Sequence, residues 1–154
     1  MTTQQGDLAL LQDPIALELL ASRQPARLAY TWTDGTPRVV PIWFTWTGDE
    51  LVCGCPPGAP KLKALAEAAD VAVSIDDSSE WPYKVLLLRG TATVEMYDDI
   101  VPEYAQSADR YLGPEQGAAL LAPMRGQPMA RVAVRPTWAA VLDFETRFPS
   151  ALGV

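Results

Sequence analysis

Two lysines, Lys61 and Lys63, follow a Pro/Gly loop in the segment PPGAPKLKAL (56–65) and fall in the first turn of a predicted helix. The start of a helix carries a partial positive charge, so a cation there costs about 0.3–1 kcal/mol at an exposed site. Two explanations remain open. Either both lysines are solvated surface charges, or they share an anion with the free N–H groups of the helix start.

The chain contains no histidine and only two cysteines, Cys53 and Cys55. The commonest general base and the commonest metal ligand are therefore missing. The two cysteines alternate along a predicted strand and so share one face. Two thiols without histidine do not suit a zinc site, and we expect no metal. We predict that both cysteines are buried small apolar residues, with redox chemistry as the weaker alternative.

Composition restricts the classes of partner. The net charge of -7 over 154 residues argues against nucleic acid as the main partner, so any bound anion needs a local basic patch. No apolar run is long enough to span a membrane. The N-terminal MTTQQGDLALLQD lacks the basic region and apolar stretch of a signal peptide. We expect a single domain over residues 1–154, in the cytoplasm, without a membrane partner.

The first half of the chain predicts a helix followed by strands. DPIALELLASRQ (13–24) has Asp13 as a candidate N-cap and Pro14 at the first helical position. The segments ARLAYTW, RVVPIWFTW and LVCGC then predict a three-stranded antiparallel meander, with turns at Asp34-Gly35 and Gly48-Asp49.

The second half predicts further strands with helices inserted between them. A helix at about 60–69 would turn four residues to the core: Leu62, Leu65, Ala66 and Ala69. DVAVSID and KVLLLRGTATVEM predict strands, and the apolar run of the second indicates burial on both faces. DDIVPEYAQSADRYLG and PEQGAALLAPM predict helices, and MARVAVRPTWAAVLDFE predicts two strands or one broken at Pro136. Six or seven strands in this order predict an α+β fold, a small closed antiparallel barrel rather than a doubly wound sheet.

Pro41 interrupts RVVPIWFTW, otherwise the most strand-like segment of the chain. A proline cannot donate to a strand ladder, so this strand lies at a sheet edge or carries a bulge. The neighbouring Trp43, Phe44 and Trp46 are typical of a core or a dimer interface. A flat aromatic cofactor would also fit such a surface.

The order of these segments resembles the pyridoxamine 5'-phosphate oxidase-like family of flavin-binding split β-barrels. The resemblance covers residues 15–95 and rests on the series from ARLAYTW to PPGAPKLKAL, then DVAVSID, then KVLLLRGTATVE. It implies a homodimer with two cofactor sites at the subunit interface. The usual cofactor is FMN, and a sister branch uses the deazaflavin coenzyme F-420.

The resemblance also implies where the cofactor binds. It places the isoalloxazine ring beside four consecutive residues: Pro41, Ile42, Trp43 and Phe44. It places the phosphate at Lys61 and Lys63, with Arg27 and Arg38 as further basic candidates. The two lysines are about 200° apart on a regular helix and do not share a face. We therefore expect Lys61 to contact the phosphate, with Lys63 at the rim or near the anionic tail of F-420.

A second segment, SSEWPYK, carries Trp81 and Tyr83 ahead of a long strand. Trp81 is a candidate to cover the cofactor ring, although packing at the dimer seam is the more general role of such a loop. Arg89 lies inside an apolar strand, where an unpaired charge is costly, so we predict a structural salt bridge.

The leading functional hypothesis is an FMN-dependent oxidoreductase that transfers a hydride to or from an unidentified small molecule. A cofactor that carries the hydride agrees with the absence of histidine. FMN is favoured because the basic patch is small. The alternatives are an F-420-dependent reductase and a non-catalytic flavin-binding or storage protein. Heme is disfavoured because there is no histidine ligand, which leaves only Cys or Tyr ligation. No residue stands out as a proton donor.

Overall fold

The computed structural model describes residues 3–152, which form one seven-stranded antiparallel sheet and four α-helices. The strands are β1 (Ala26–Thr31), β2 (Pro37–Ile42), β3 (Thr45–Trp46), β4 (Leu51–Cys55), β5 (Asp70–Asp77), β6 (Lys84–Tyr97) and β7 (Met129–Leu142). The helices are α1 (Pro14–Leu20), α2 (Pro60–Glu67), α3 (Pro102–Leu112) and α4 (Pro114–Leu121). The α+β class and the antiparallel strands are as predicted. In this part of the chain no helix is long and apolar enough to cross a membrane.

The sheet has the order β2-β1-β5-β6-β7-β4-β3 and does not close. Its two edge strands, β2 and β3, are separated in sequence only by Trp43 and Phe44. RVVPIWFTW therefore forms two strands, and the prediction of one continuous strand is wrong. This short crossover joins opposite edges of the sheet. The open sheet agrees with the split barrel that the resemblance implies, and it corrects the closed barrel expected from the strand pattern alone.

Both predicted hairpins form, because β1 pairs with β2 and β3 pairs with β4. They do not make one continuous meander: β2 and β3 lie at opposite edges of the sheet, and β4 also pairs with β7, with Cys53 opposite Val132. The turns themselves are confirmed. Gly35 has φ 85° between β1 and β2, and Gly48 has φ 110° between β3 and β4. Glycine adopts such angles without steric cost, which is why these two positions reverse the chain.

The helix starts follow the sequence signals. The Asp13 carboxylate accepts a hydrogen bond from the N–H of Ile15 at 2.9 Å, and Pro14 occupies the first position of α1. Pro102 likewise begins α3. The buried face of α2 differs from the prediction, because Ala64 is buried and Ala66 is exposed.

The main core fills the concave side of the sheet, and α3 covers a smaller cluster on the other side of β4 and β7. The largest fully buried side chains of the main core include Phe44, Leu28, Ile75, Leu86 and Leu88. The smaller cluster consists of Val52, Val101, Met129 and Ala133.

Burial along β6 alternates, so the prediction of burial on both faces is wrong for that strand. Leu86 and Leu88 are buried, whereas Leu87 is half-buried and Arg89 is exposed.

The final segment forms a single strand, β7, with a register shift against β6. At this bulge Gly90 lies opposite Pro136 and Arg89 lies opposite Trp138. A proline without an N–H is tolerated at such a position.

Candidate functional site

The free edge of β2 offers unpaired backbone groups. Among residues 3–152, β2 pairs only with β1, so Pro41 lies on an edge strand, as predicted. A proline nitrogen cannot donate a hydrogen bond, so we infer that Pro41 and its partner on β1 exchange no backbone hydrogen bonds. The two kinds of residue pair alternate along an antiparallel ladder, so the same holds for Val39, two residues earlier. The N–H and C=O of Val39 then point away from β1. A planar ligand with a polar rim can use this edge.

The crossover from β2 to β3 is held by α3. The Trp43 ring stacks on Tyr111 with centroids 5.1 Å apart and 15° between the planes, and lies 6.3 Å from the Tyr104 ring. Ile42 and Phe44 are buried in the core. The side chains of Ile42 and Phe44 are therefore taken up by packing, and a cofactor can reach the main chain here and the remaining surface of Trp43.

Arg110 holds this crossover, a role that sequence reasoning missed. Its guanidinium donates a hydrogen bond to the carbonyl of Phe44 and another, at 3.0 Å, to the carbonyl of Ser22. It lies 5.0 Å from the Phe44 ring centroid and 4.8 Å from that of Tyr111. An arginine in an amphipathic helix carries no sequence signal for such a role, because its partners are carbonyls far away in the chain.

Lys61 lies in the first turn of α2, directly after the loop that follows β4. The N-cap residue, Ala59, makes no side-chain capping hydrogen bond, so the helix start lacks that support. Lys61 is half-buried and Lys63 is exposed. None of the ion pairs formed within residues 3–152 involves either lysine.

The two cysteines lie beside Lys61, and both are buried with free thiols, as predicted. Burial raises the pKa of Cys53 to about 12, although the nearby Lys61 charge lowers it. Burial also raises the pKa of Cys55, against the charge and the hydrogen bond of Lys61. Both thiols are therefore protonated at neutral pH, which does not favour redox chemistry.

The arginine candidates have other partners. Arg27 pairs with Asp76 at 2.9 Å. Arg38 donates to the Thr36 hydroxyl at 2.5 Å and lies 3.9 Å from the Asp34 carboxylate. Both side chains are partly exposed, so these pairs hold them only weakly.

Arg89 differs from the prediction of a structural salt bridge. Its guanidinium carbon lies 4.0 Å from the Trp138 ring centroid. Within the described part of the chain Arg89 forms no ion pair. Because Arg89 points to the exposed side of β6, stacking on the ring replaces the ion pair that a buried arginine would need.

Trp81 lies in a separate aromatic cluster. Its ring contacts Tyr83 edge to face at 5.1 Å and lies 6.0 Å from Phe144. Sequence reasoning missed Phe144 and Phe148, because they are about 60 residues away in the chain.

Two adjoining cavities lie on the outer face of the sheet. One, of about 530 Å³, is lined by Thr31, Pro37 and Thr137, among others. The other, of about 380 Å³, is lined by Val39, Leu87 and Trp138, among others. Ala29, Ala72 and Arg89 are common to both linings. Val39 is 65% exposed, so this outer face carries apolar surface that the described chain does not cover.

The residues at the start of α2 fit a phosphate group. Lys61 is a cation without a carboxylate partner in the described residues, and it lies next to a helix start without a side-chain cap. A Cβ built on Gly58 would meet nothing within 4 Å, so there is open space at the loop. Backbone N–H groups and a lysine at a helix start are the usual elements of a phosphate site.

Comparisons with solved structures agree with the fold. A protein described as an F-420 reductase is 27% identical, with a TM-score of 0.61 over 79% of this chain and 93% of that one. An FAD and heme binding protein from Mycobacterium smegmatis is 28% identical, with a TM-score of 0.62 over 91% and 72%. A conserved hypothetical protein from Mycobacterium tuberculosis shares the fold at 19% identity, with a TM-score of 0.68 over 99% and 94%.

The search of curated proteins gave no match. The family model described as pyridoxamine 5'-phosphate oxidase matches residues 12–141, which is most of the chain. The resemblance inferred from the sequence is thereby confirmed. This chain belongs to the pyridoxamine 5'-phosphate oxidase family.

Proposed function

We propose that this chain is a homodimeric, FMN-dependent oxidoreductase that transfers a hydride between the flavin and a small molecule. The observation that carries the proposal is Lys61, a half-buried cation without a carboxylate partner in the described residues. It stands at an uncapped helix start within the part of the chain that the family model matches.

In this proposal the start of α2 binds the phosphate. The Lys61 ammonium and the free backbone N–H groups would donate charge-assisted hydrogen bonds, which are stronger than neutral ones. The bound phosphate would also offset the cost of placing a cation at the positive end of the helix. Lys63 lies on another side of α2 and would contribute mainly a long-range attraction.

The ring system would lie against the edge of β2. Val39 and Pro41 would supply backbone groups there, and Trp43 would supply ring surface beside them. Arg27 and Arg38 would then lie near the polar part of the cofactor, and Trp81 remains a candidate to cover the ring. When bound, a flavin supplies the centre that accepts and donates the hydride, so the protein itself would position the cofactor and exclude water.

The proposed homodimer buries the outer face of the sheet. The exposed Val39, the half-buried Leu87 and the Arg89–Trp138 stack give this face a large apolar component. A two-fold interface requires the same patch on both protomers, and a stable one buries about 1,200–2,000 Å² in total. This face lies beside the edge of β2, so a second copy placed here would border the proposed ring site.

An F-420-dependent reductase is the second candidate. The observation that favours it is the 27% identity to a protein described as an F-420 reductase, over 93% of that protein. Both cofactors carry a phosphate, so Lys61 would have the same role. The exposed Lys63 is then available to the anionic tail of F-420. The heme in the description of the Mycobacterium smegmatis relative is not transferred, because this chain has no histidine ligand.

The test begins with titrations of the purified protein with FMN and with F-420, followed by absorbance and fluorescence. The loaded protein is then reduced under anaerobic conditions with NADPH, or with enzymatically reduced F-420, and exposed to menadione as an acceptor. Binding of FMN with repeated turnover supports the proposal. Binding of F-420 alone supports the second candidate, binding without turnover supports a storage role, and binding of neither contradicts all three.

A further inference from the structure

Four aromatic rings from two distant loops form one cluster, here called the aromatic platform: Trp81, Tyr83, Phe144 and Phe148. Tyr83 lies 5.1 Å from Trp81 and 6.1 Å from Phe144, and Phe148 lies 6.3 Å from Phe144. All three contacts are edge to face, a geometry that aromatic pairs prefer. The rings therefore support one another in fixed orientations.

The turn that carries Phe144 is held by an ionic network. The Asp143 carboxylate accepts hydrogen bonds from the N–H groups of Glu145, Thr146 and Arg147 at 2.9–3.0 Å. Arg147 donates to Asp143 at 2.9 Å and to Asp13 at 2.7 Å. This network keeps Phe144 at φ 56°, a conformation that a bulky residue rarely adopts. Backbone held in such a conformation is concentrated at functional sites.

The aromatic platform faces solvent in the described part of the chain. Trp81 is 66% exposed, Phe148 is 42% exposed and Tyr83 is 39% exposed. Aromatic residues that only complete a core do not leave this much of their rings in water. An exposed, preorganised aromatic surface of this kind indicates a binding site.

Charges beside Trp81 indicate the class of ligand. A cavity of about 270 Å³ is lined by Trp81, Glu18, Asp77, Glu80 and Lys84, with Ser79 and Pro82. Lys84 is already neutralised by Glu18, with N–O distances of 2.8 and 2.9 Å. Hydrogen bonds from the Ser79 hydroxyl and N–H hold the pKa of Asp77 below its usual value. Asp77 and Glu80 therefore leave negative charge beside an exposed indole.

We propose that the aromatic platform binds an organic cation of the alkylated ammonium class, with the cation against Trp81 and its charge offset by Asp77 and Glu80. Trp is the strongest cation–π partner among the aromatic side chains. A second copy of the chain fits less well, because a two-fold contact centred here would bring the acidic patches of both copies into one interface. This site goes beyond the proposed flavin chemistry, and it gives Trp81 a role other than covering the cofactor ring.

The test uses choline and its neutral isostere, 3,3-dimethylbutan-1-ol, titrated calorimetrically into the full chain at constant ionic strength. We expect choline to bind at least tenfold more tightly than the alcohol. Trp81→Ala should weaken choline at least tenfold, and Glu80→Gln should weaken choline severalfold without changing the affinity for the alcohol. Met96→Ala removes a side chain of similar exposure (54%) from the opposite end of β6, and should change neither affinity.

Three outcomes would overturn the proposal. Equal affinities for choline and the alcohol would mean that charge plays no part. Loss of choline binding when the protein is saturated with FMN would place Trp81 at the cofactor. A change from dimer to monomer in Trp81→Ala, measured by sedimentation, would mean that a second copy covers the aromatic platform. Glu80→Gln keeps the test decisive if Trp81→Ala does not fold.

Discussion

The indole ring of Trp43 stacks on the phenol ring of Tyr111, with centroids 5.1 Å apart and 15° between the ring planes. Trp43 belongs to the two-residue crossover that joins the opposite edges of the sheet, and Tyr111 lies near the end of α3. Because the edges are not hydrogen-bonded to each other, α3 stabilises the split between them. The main chain proposed to border the cofactor ring is positioned by this contact.

Removing the stacked ring should destabilise the fold more than removing its hydroxyl. We expect Tyr111→Ala to lower the free energy of unfolding by about 2–3 kcal/mol, since it removes a half-buried aromatic ring and its partner contact. Tyr111→Phe should cost about 1 kcal/mol, because it loses only the 3.0 Å hydrogen bond to the carbonyl of Gln24. Urea unfolding curves measure both values, and equal losses would show that stacking contributes nothing.

Replacing Gly90 should disrupt the bulge between β6 and β7. A Cβ at this position would lie 2.3 Å from the carbonyl oxygen of Arg135, which is backbone and cannot rotate away. We expect Gly90→Ala to cost about 3 kcal/mol or more. Gly58→Ala is the matched control, because a Cβ there meets nothing within 4 Å, and it should change stability by less than about 1 kcal/mol. Thermal unfolding measures the stability of both variants. Similar melting temperatures for Gly90→Ala and Gly58→Ala would contradict the steric clash at the bulge.

The sequence predicts local features of this fold well and long-range pairings poorly. The Asp13 cap and the Asp34-Gly35 turn depend on neighbours within a few residues, so their residue types are sufficient to predict them. β4 pairs with β3 in a local hairpin and also with β7, almost 80 residues later. The turn at Gly48-Asp49 predicts the local hairpin, but nothing in LVCGC indicates the distant pairing with β7. The split of RVVPIWFTW was hidden for the same reason, because the interactions that end β2 come from α3.

In the candidate site, too, the features that depend on nearby residues could be predicted and those that depend on distant residues could not. Pro41 at an edge and Lys61 at a helix start follow from residue type and position. The burial of Phe44 agrees with the core role that was one of its predicted alternatives. The role of Arg110 does not follow from the sequence, because it depends on how α3 packs against the crossover. The aromatic platform escaped prediction because its two loops are far apart in the chain.

Neutralising Glu103 should weaken the attachment of α3 to β7. Arg131 donates to the Glu103 carboxylate at 2.6 and 3.1 Å, and both side chains are more than 80% buried. We expect Glu103→Gln to lower the free energy of unfolding by about 1–3 kcal/mol at neutral pH, because Arg131 loses its charged partner.

The control is the pH dependence of the stability that Glu103→Gln loses. The hydrogen bond from Arg131 lowers the pKa of Glu103 below its ordinary value of 4.5. The pair therefore stabilises the fold above pH about 4.5, and its contribution is lost as the pH falls through the lowered pKa. The difference between wild type and Glu103→Gln should shrink over that range. A difference that stays constant down to pH about 3 would show that the charge of Glu103 does not matter.

The phosphate site at Lys61 is the central claim, and the most direct measurement compares FMN with riboflavin, which lacks the phosphate. Dissociation constants are obtained by flavin fluorescence for wild type, Lys61→Ala and the matched control Lys63→Ala. We predict that Lys61→Ala weakens FMN about tenfold to hundredfold and leaves riboflavin unchanged, while Lys63→Ala weakens FMN less than about threefold. Equal effects of the two substitutions, or equal loss of FMN and riboflavin, would contradict a phosphate contact at Lys61.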